Sequence, residues 1–584
     1  MSCTHGSVSP FIAAARLHRT PGQLPQQIYS LRHLVLFFLI VGAATQLRYS
    51  EAAPIRVPDL SRCGLAEDQS VGAAPPLTLR FNCCLPLSSR PVVDFSFDKY
   101  PPIRQHVRRP AHTTKEDYIA KYNKAYELMR ALPDTDPRSL KVQADLHCAF
   151  CNGAYMQAGA DGDVPLQVHF SWLFLPWHRW YLYFHERILG SLLGDPGFSL
   201  LYWNWDDQVN GGNVMPHMFA RNGTALYDAK RNPAHLPPAI VRLSPSINNT
   251  DVSMVVNENL NAMYQSVVTA STPDLFAGGA YRTGSDLRGS TVLDAPLGGS
   301  VETGVHNGIH YWTGDPGQQL LQDMGTFSTA ARDPIFYAHH SNVDRLWDVW
   351  RLRLPSGPRQ DHSDPDFLDT EFLFYDEKAN PVKVKVRDAL DNANLGVTYK
   401  TVRADDLWIN YSPKPVTHAS ALPSALASGV PTIAAAPTNG TIDIDLASPR
   451  LTAIVRRPGT DKARPSKTEE VLVVQGLELT RDTFVSLVVL VNLPDAGPFT
   501  PTSSAEYVGT FNIVPSANQH RHLLTDVKFE IGDNLKRIGL HKDDRIVVTL
   551  VLKSFLVVVA GEQSTTATLN QQRISFQGLE IKYE

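Results

Sequence analysis

The periodicity of hydrophobic and polar positions differs between two parts of the chain and changes near residue 440. Before this point, apolar residues recur at helical spacing between long stretches rich in Gly, Pro and Asn. This spacing predicts amphipathic helices, such as one over Lys115 to Leu132, joined by long loops. After it, short alternating or β-branched runs such as Thr483 to Pro494 predict about eight strands. We therefore expect a mainly α domain followed by an all-β domain of sandwich or jelly-roll type.

The same change of pattern suggests the domain boundaries. Residues 413–440 carry a single charge, Lys414, and are rich in Pro, Ala and Ser, which is typical of an exposed linker. With 584 residues, the chain exceeds one ordinary hydrophobic core. We assign residues 53–412 to the helical domain and residues 441–584 to the β domain.

The N-terminal 1–52 segment has the composition of a targeting leader. The first 50 residues contain no Asp or Glu, and the apolar run from Leu34 to Ala44 is too short to span a bilayer. An acid-poor segment before such a run predicts a two-part plastid leader, with the chloroplast thylakoid lumen as the destination. A secretory signal, leading to secretion or to the vacuole, is the alternative. Four N-glycosylation sequons are compatible with that alternative: Asn222, Asn248, Asn410 and Asn439.

The overall charge excludes some partners. The net charge is −4 at pH 7, and 43% hydrophobic with 19% charged residues describes a globular protein. Without a basic surface, nucleic acid is not an expected partner. We also expect no stable membrane span, because the apolar run in the leader, Leu34 to Ala44, is too short to cross a bilayer.

The cysteines predict two disulfides and one remaining thiol. Cys3 lies in the leader, which leaves five cysteines: Cys63, Cys83, Cys84, Cys148 and Cys151. The adjacent Cys83 and Cys84 cannot easily bond each other without strain. Four of the five can form two bridges that attach the N-terminal segment to the helical domain. The odd cysteine needs a separate explanation.

Six histidines fall into two groups of three. The groups are His147, His169 and His178, and then His306, His310 and His340. Neutral imidazoles without a carboxylate ligand suit copper, which binds nitrogen donors more tightly than other divalent first-row metals. Zinc is the competing metal, but a zinc enzyme usually needs one site and often a carboxylate. Two such sites facing each other predict a pair of copper ions that can bind dioxygen.

Helical geometry constrains which histidines act together. His306 and His310 are four residues apart and share one face of a helix. His169 and His178 are nine apart and lie on opposite sides of a continuous helix. Pro176 favours a helix start, which places His178 in the first turns and His169 on the loop before it. We expect four central helices to supply the ligands, as in a four-helix bundle with a metal site in its core.

Two histidine positions allow alternatives. His339 and His340 are adjacent, so only one can face the metal. The acid Asp344, one turn after His340, favours His340, because a carboxylate can orient a ligating histidine from behind. His185 lies seven residues after His178 on the same helical face, so its spacing alone does not exclude it.

Long stretches around these histidines resemble the plant polyphenol oxidases, the tyrosinase and catechol oxidase family with two coupled copper ions. The resemblance covers nearly all of the chain after the leader. The motifs that carry it are HCAFCNGAY from His147, SWLFLPWHRWYLYFHERIL from Ser171, YWNWDD from Tyr202, VHNGIHYWTGD from Val305, DPIFYAHHSNVDRLWDVW from Asp333 and FLFYDEKANPVKVKVRD from Phe372.

The resemblance implies roles for the residues already singled out. The first histidine group would hold one copper and the second group the other. Cys151 matches the cysteine that forms a thioether to the second histidine, here His169, which accounts for the odd thiol. The disulfide pairs implied are Cys63–Cys84 and Cys83–Cys148.

Three further positions carry over from the family. Phe327 matches a bulky residue that overhangs the copper pair as a gate. Glu302 and Asn307 match a pair that holds a water near the site, and such a water could take the proton of an incoming phenol. Two stretches depart from the family pattern: Val397-Thr398-Tyr399 stands for a Tyr-x-Tyr motif, and Thr483-Phe484-Val485-Ser486 stands for Lys-Phe-Asp-Val. His185 stands where the family is expected to have an aromatic residue.

The resemblance also implies an activity. The expected reaction is oxidation of o-diphenols to o-quinones while dioxygen is reduced to water, with some hydroxylation of monophenols. The β domain would shield the site and keep the enzyme latent until a protease cuts the linker. A specialised biosynthetic phenol oxidase, such as an aurone-forming enzyme, is the main alternative, because substrate choice depends on loops near Phe327 and Tyr311. An oxygen carrier with the same copper pair is a more distant alternative.

Overall fold

A computed structural model describes residues 53–69, 78–102, 106–244, 251–286, 297–417, 419–434, 440–458, 468–480, 484–515, 522–554 and 573–584. The predicted leader over residues 1–52 lies outside these ranges, as do Asn248, Asn439 and Thr483. No helix among the described residues is long and apolar enough to cross a membrane.

The N-terminal two thirds of the described chain are built on helices. Six α-helices of seven or more residues occur there: α1 Glu116–Arg130, α2 Leu140–Cys151, α3 Phe174–Leu193, α4 Val252–Met263, α5 Asn307–Thr313 and α6 Ile335–Leu352. Shorter α-helices are His217–Ala220, Pro273–Ala277, Pro365–Asp369, Leu422–Ala427 and Gly532–Arg537. The predicted helix from Lys115 to Leu132 is confirmed to within two residues at each end by α1.

Local sequence explains where the site-bearing helices begin and end. The Ser139 hydroxyl accepts the backbone N–H of Val142 at 3.2 Å and caps α2. Gly194 ends α3 with a φ of 65°, a left-handed conformation that favours glycine. α5 directly continues a π-helical turn, Val301–His306. Helix α3 packs against both α1 and α6, so the two longest helices lie side by side in the core.

The strands divide between small sheets in the helical part and two larger sheets near the C-terminus. In chain order they are β1 Ala66–Gln69, β2 Thr78–Phe81, β3 Val93–Asp94, β4 His106–Pro110, β5 Leu201–Tyr202, β6 Glu371–Tyr375, β7 Pro381–Lys385, β8 Val397–Tyr399, β9 Thr432–Ile433, β10 Ile442–Asp445, β11 Arg450–Arg456, β12 Glu470–Thr480, β13 Val485–Val491, β14 Tyr507–Ile513, β15 His522–Glu530, β16 Arg545–Ser554, β17 Arg573–Phe576 and β18 Gly578–Tyr583.

The C-terminal strands form two five-stranded sheets. One sheet has the order β10-β17-β12-β15 with β18 also paired to β12, and the other has the order β14-β13-β16-β11-β9. Alternate residues of both sheets, including Leu472 and Leu523 from one and Leu487 and Val548 from the other, belong to a single hydrophobic cluster. A helical region followed by a β region is therefore what the chain forms, as the change in hydrophobic pattern indicated.

The segment with an altered family motif, Val397-Thr398-Tyr399, is well anchored. It forms β8, which pairs in parallel with β4, with Val397 opposite His106. The Tyr399 hydroxyl donates to Asp344 Oδ2 at 2.5 Å and accepts from Arg108 at 2.7 Å. One tyrosine of the motif is thus enough to fix this segment to the helical core.

The segment expected to be an exposed linker is more ordered than its composition indicated. Residues Leu422–Ala427 form a helix whose Ala425 is buried against Ile454 and Val547 of the β region. The backbone N–H groups of Val416 and Thr417 donate to the Glu506 carboxylate at 3.0 and 2.8 Å. The low charge and small residues that indicated an exposed linker also allow part of this segment to pack closely on the sheet. Residues 426–429 are exposed.

Candidate metal centre

The two predicted histidine groups meet in the centre of the helical region. His147, His169, His178 and Cys151 form one cluster, and His306, His310, His339 and His340 form another. Within each cluster the ligand atoms lie within 4.8 Å of one another, and all eight side chains are buried. The rings of His178 and His340 stack across the boundary, with centroids 4.2 Å apart and planes inclined by 10°.

His169 and His178 occupy the positions that the predicted helix start near Pro176 gave them. His147 lies near the end of α2, His178 in the first turns of α3, and His169 on the loop before α3. His306 ends the π-helical turn, and His310 follows one turn later in α5. Several different helices and one loop therefore bring imidazoles into one small volume.

Hydrogen bonds behind the rings orient the free ring nitrogens toward the centre. The Nδ1–H of His147 donates to the Phe327 carbonyl at 2.9 Å, that of His178 to Phe174 at 2.8 Å, and that of His310 to Met324 at 2.6 Å. A carbonyl behind one ring nitrogen leaves the other as a lone-pair donor, which is how proteins prepare metal-ligating histidines.

The nitrogens that face inward have the environment of metal ligands. Nε2 of His147 and Nε2 of His178 are buried and have no hydrogen-bond partner among the described residues. His306 Nε2 lies 3.1 Å from His310 Nε2 and 3.4 Å from His340 Nε2. The Nδ1–H of His310 is already used by a carbonyl, so the lone pair of its Nε2 faces the Nε2 of His306, and a metal ion between the two nitrogens would relieve the repulsion. The residues present fit two nitrogen-bound metal ions, with copper favoured by the absence of carboxylate ligands.

Burial keeps these imidazoles neutral. It lowers the pKa of His178 to about 3 and the pKa of His310 to about 4. The pKa values of His147, His306 and His340 are also lowered well below the usual range, first by burial and then by neighbouring histidines. Neutral imidazole is the form that binds a metal, so the site is ready for metal at ordinary pH.

The structure separates the two adjacent histidines. His340 Nε2 converges with the Nε2 atoms of His306 and His310, whereas His339 Nδ1 accepts a hydrogen bond from Trp205 Nε1 at 3.1 Å. The ring of His339 stacks on that of His306, with centroids 5.0 Å apart. His339 therefore packs behind the second group while His340 faces into it.

The expectation that Asp344 orients His340 is wrong. The Asp344 carboxylate accepts from Arg179 at 2.5 Å, Arg108 at 3.2 Å, Asn392 at 3.1 Å and the Tyr399 hydroxyl. His340 Nδ1 has no hydrogen-bond partner among the described residues. Four donors occupy the carboxylate because Asp344 connects α6 to α3, β4 and β8. These arginines are the main reason that its pKa is lowered despite burial.

His185, which spacing left open as a ligand, lies outside both clusters. Its ring stacks on Tyr337 with centroids 3.6 Å apart, and its Nε2 lies 3.1 Å from the Tyr126 hydroxyl. A position seven residues after His178 is nearly two helical turns away, about 10 Å along the axis, which is too far to reach the same metal.

The cysteines are arranged as the resemblance implies. Cys63 is bonded to Cys84 and Cys83 to Cys148. Cys151 is a buried free thiol beside His147, His169 and His178. Gln167 connects it to His169: its amide donates to the Cys151 carbonyl, and its Oε1 accepts from the His169 backbone at 2.9 Å.

The histidine clusters are bordered by the three further positions of the family, Phe327, Glu302 and Asn307. The Phe327 ring stacks on His169 with centroids 4.0 Å apart. Glu302 Oε1 accepts the backbone N–H of Phe170 at 2.7 Å, and Asn307 Oδ1 lies 3.0 Å from His306 Nδ1. All three side chains are fully buried.

The β region covers this side of the centre. Asn307 Nδ2 donates to the Asn512 carbonyl at 2.7 Å, and Asn512 Nδ2 donates to the Gly304 carbonyl at 2.9 Å. Tyr311 stacks on Phe484 with centroids 3.9 Å apart. Phe484 belongs to the segment in which the family motif is altered. Its phenylalanine is kept, and this is the residue that contacts Tyr311.

Sequence reasoning missed Gln167, Asn512 and Trp205. Gln167 stands two residues before His169, and this spacing could have indicated a side chain that braces the ligand loop. Asn512 lies in an ordinary strand pattern, and Trp205 lies far from His339 in sequence. Nothing in the local sequence pattern identifies Asn512 and Trp205, because the residues that they contact are distant in the chain and come close only in the folded protein.

Comparisons with known proteins agree with this geometry. Residues 137–353 match the model of the common central domain of tyrosinase, residues 361–414 that of the polyphenol oxidase middle domain, and residues 444–563 that of the chloroplastic polyphenol oxidase C-terminal domain.

Similar proteins extend over most of the chain. A chloroplastic polyphenol oxidase of Malus domestica is 42% identical over 88% of this chain and 84% of its own length. Aureusidin synthase of Antirrhinum majus is 41% identical over 89% of this chain and 91% of its own. Among solved structures, latent apple tyrosinase covers 84% of this chain and 100% of its own with 38% identity and a TM-score of 0.71. A latent aurone synthase covers 91% of this chain and 99% of its own with 32% identity and a TM-score of 0.77.

Proposed function

Because the chain belongs to the plant polyphenol oxidases of the tyrosinase family, we propose that it oxidises o-diphenols to o-quinones at a centre of two copper ions. The observation that carries this function is the pair of facing histidine clusters, each with inward ring nitrogens. Two catechols and one dioxygen give two o-quinones and two waters, so the four electrons and four protons balance. The copper pair supplies the electron transfer between the phenol and dioxygen.

We assign the first copper to His147, His169 and His178, and the second to His306, His310 and His340. The carbonyls behind three of these rings and the neutral state of the imidazoles support the assignment. We also propose a four-helix arrangement of α2, α3, α5 and α6 around the pair, because these helices carry or adjoin five of the six ligands.

A thioether between Cys151 and His169 is proposed from their shared cluster and their common contact with Gln167. Forming the bond removes the thiol hydrogen, one ring hydrogen and two electrons, which dioxygen accepts at the copper pair. The covalent bond would fix His169, the one ligand that no helix holds.

Phe327, Glu302 and Asn307 are proposed to control how phenols enter and lose their proton. The Phe327 ring lies over His169, where an incoming ring would pass. A water held by Glu302 and Asn307 would take a proton from a monophenol, which supports weak hydroxylation beside stronger catechol oxidation. In the intact chain, Asn307 is already bonded to Asn512.

We propose that the β domain keeps the enzyme latent and that a protease activates it within residues 413–440. The contacts of Asn307 with Asn512 and of Tyr311 with Phe484 support shielding of the site. Residues 426–429 are the longest run of exposed residues in the described part of this segment and the expected place of cleavage. The domain limits 53–412 and 441–584 are proposed on the same basis, as is a sandwich formed by the two C-terminal sheets.

The protein is assigned to the chloroplast, because relatives of high identity are chloroplastic. We propose the thylakoid lumen as the compartment, on the basis of the two-part composition of residues 1–52. Microscopy of the full chain fused to a fluorescent protein, with subfractionation of the plastids, tests this assignment against the secretory route.

A second candidate is a specialised biosynthetic oxidase, favoured by the similarity to aureusidin synthase and to a latent aurone synthase. The substrates would then be chalcones, which carry a phenol ring of the same kind.

The test is oxygen uptake by copper-loaded protein clipped in the linker, with a simple catechol, tyramine and a chalcone compared. Rapid uptake with catechol and quinone formation supports the diphenol oxidase, and turnover restricted to the chalcone supports the second candidate. The matched control is His306→Ala, which removes one proposed ligand. Absence of uptake with every phenol would contradict the function.

A further inference from the structure

A continuous series of aromatic rings leads from the first histidine cluster to the protein surface. Trp177 lies 4.8 Å from His178 between ring centroids, and Tyr181 lies 5.0 Å from Trp177. Tyr337 follows at 5.5 Å from Tyr181, and their hydroxyl oxygens are 3.0 Å apart. None of these side chains has a part in the function proposed above.

The series continues through His185 to helix α1. His185 stacks on Tyr337 at 3.6 Å and lies 5.8 Å from Tyr126. Tyr122 follows 5.4 Å from Tyr126. The whole path as far as Tyr122 is fully buried, so water does not interrupt it.

The outer end of the series reaches a cavity. Phe198 packs on Tyr122 at 5.5 Å and on the partly exposed Tyr118 at 6.1 Å. Phe198 also lines a cavity of about 310 Å³, together with His106, Glu186 and Arg187. The cavity is large enough for a small aromatic molecule and presents polar groups beside an apolar ring.

The hydrogen bonds around His185 prepare Tyr126 to lose a proton. Gln143 Nε2 donates to the Pro137 carbonyl at 2.9 Å, which turns its Oε1 toward His185 Nδ1 at 3.4 Å. His185 Nδ1 therefore carries the hydrogen, and Nε2 accepts from the Tyr126 hydroxyl at 3.1 Å. Burial lowers the pKa of His185, so the ring is neutral and able to accept.

We propose that this aromatic series carries electrons from a small phenolic reductant in the cavity to the copper centre when no substrate occupies the site. The inference rests on the copper centre of the proposed function. Tryptophan and tyrosine are the side chains that lose an electron most readily among those present, and ring contacts this short favour transfer between them. Packing of a hydrophobic core alone does not require that Gln143 fix the tautomer of His185. It also does not require that the aromatic series end beside a cavity.

The electrons and protons balance at each stage. With an oxidised copper pair bound, Trp177 would give up one electron to it, and the resulting electron vacancy would pass through Tyr181 and Tyr337 to Tyr126. Tyr126 loses its electron and gives its proton to His185 Nε2. A phenol in the cavity, beside Phe198, then supplies one electron by way of Tyr122 and leaves as a phenoxyl radical and a proton, and His185 returns its proton to Tyr126. The oxidising equivalent thus leaves the site without oxidising the ligands.

The test uses the full chain loaded with copper, without phenol. The protein is mixed with hydrogen peroxide, frozen and examined by electron paramagnetic resonance. We expect a tyrosyl radical whose lines narrow when the protein contains ring-deuterated tyrosine. The variant Tyr126→Phe should reduce the radical at least several-fold, and Tyr375→Phe, which changes a buried tyrosine outside the series, should not. Absence of a radical, or an unchanged radical in Tyr126→Phe, overturns the inference.

Two further measurements separate the possible failures. If Tyr126→Phe does not fold, His185→Gln takes its place, because an amide cannot take up the tyrosine proton. Added phenol should quench the radical several-fold more slowly in Tyr122→Phe than in the unchanged protein, and equal rates overturn the route through the cavity. Copper content is measured in every sample: failure to bind two ions contradicts the proposed function, whereas two ions without a radical contradicts this inference alone.

Discussion

The side-chain amide of Asn307 donates to the backbone carbonyl of Asn512, with 2.7 Å between nitrogen and oxygen. This bond connects the residue after His306 to strand β14 of the C-terminal region. Asn512 donates in turn to the Gly304 carbonyl at 2.9 Å. Two reciprocal buried bonds thus hold the β region against the turn that carries a proposed copper ligand.

We expect Asn512→Ala to raise the activity of the intact protein several-fold toward that of the clipped form. The change leaves the buried Gly304 carbonyl without its donor, which costs about 1–3 kcal/mol. The measurement is the ratio of catechol oxidation before and after cleavage in the linker. The matched control is Asn534→Ala, which removes two bonds to Ala505 and Tyr507 that lie within the β region. A ratio changed equally by both variants would count against the interface.

The contact between Tyr311 and Phe484 predicts a second route to activation. Phe484→Ala removes the ring that stacks 3.9 Å from Tyr311, and stacked pairs contribute about 0.5–1.5 kcal/mol beyond their burial. We expect the kcat/KM of intact protein for catechol to rise several-fold, because the β region would no longer pack on Tyr311, the residue after the proposed ligand His310. Phe499→Ala serves as control, since that ring is 68% exposed. No change in kcat/KM would show that Phe484 does not obstruct the site.

The two adjacent histidines should behave differently when replaced. His340→Ala removes an inward Nε2 and is expected to lower the copper content from two ions toward one. His339→Ala loses the bond from Trp205 and should retain both ions while lowering the free energy of unfolding by about 1–3 kcal/mol. Elemental analysis with denaturant unfolding distinguishes the two outcomes. The reverse pattern of copper loss would assign the ligand to His339.

The buried thiol of Cys151 predicts a covalent bond to His169. Copper-loaded protein exposed to dioxygen should become lighter by two hydrogen atoms, and digestion should yield a peptide that joins the two residues. Cys151→Ser should show neither change and still bind copper through its histidines. Mass spectrometry makes both measurements. An unmodified thiol after full copper loading would exclude the thioether.

Glu530 makes stability depend on pH. Burial, then repulsion from Glu469 and Asp533, raises its pKa to about 8, while the nearby Ser271 and Arg359 oppose the shift. A carboxyl with a raised pKa binds its proton more tightly when folded, so its contribution is complete at low pH. That contribution declines as the pH rises from about 4.5 to about 8.

We therefore expect Glu530→Gln to be more stable than the unchanged protein at pH 8, by about 4 kcal/mol, and to differ little at pH 4.5. Denaturant unfolding at both pH values provides the measurement. Glu580→Gln on β18 is the control for loss of a carboxylate. A gain in stability that is equal at both pH values would exclude titration of Glu530 as the cause.

Much of the fold follows from local pattern. The helix over Glu116–Arg130 and the change from helices to strands near residue 440 were predicted because periodicity is a property of neighbouring residues. The strand segments found after residue 440 include the one that begins at Val485. The segment 413–440 is more ordered than its composition indicated, because composition does not reveal that Glu506 accepts the N–H groups of Val416 and Thr417.

The sequence by itself determined the family, the copper chemistry and the grouping of six histidines, because spacing and residue type are local and the motifs are long. Only the tertiary structure decided which of two adjacent histidines faces inward and where the Asp344 carboxylate is bonded. It also decided that Asn512 covers Asn307. These outcomes depend on partners more than a hundred residues away in the chain, as with Trp205 for His339 and Arg179 for Asp344. Spacing within a helix can place a side chain on a face, but the neighbouring elements that pack there determine its partner.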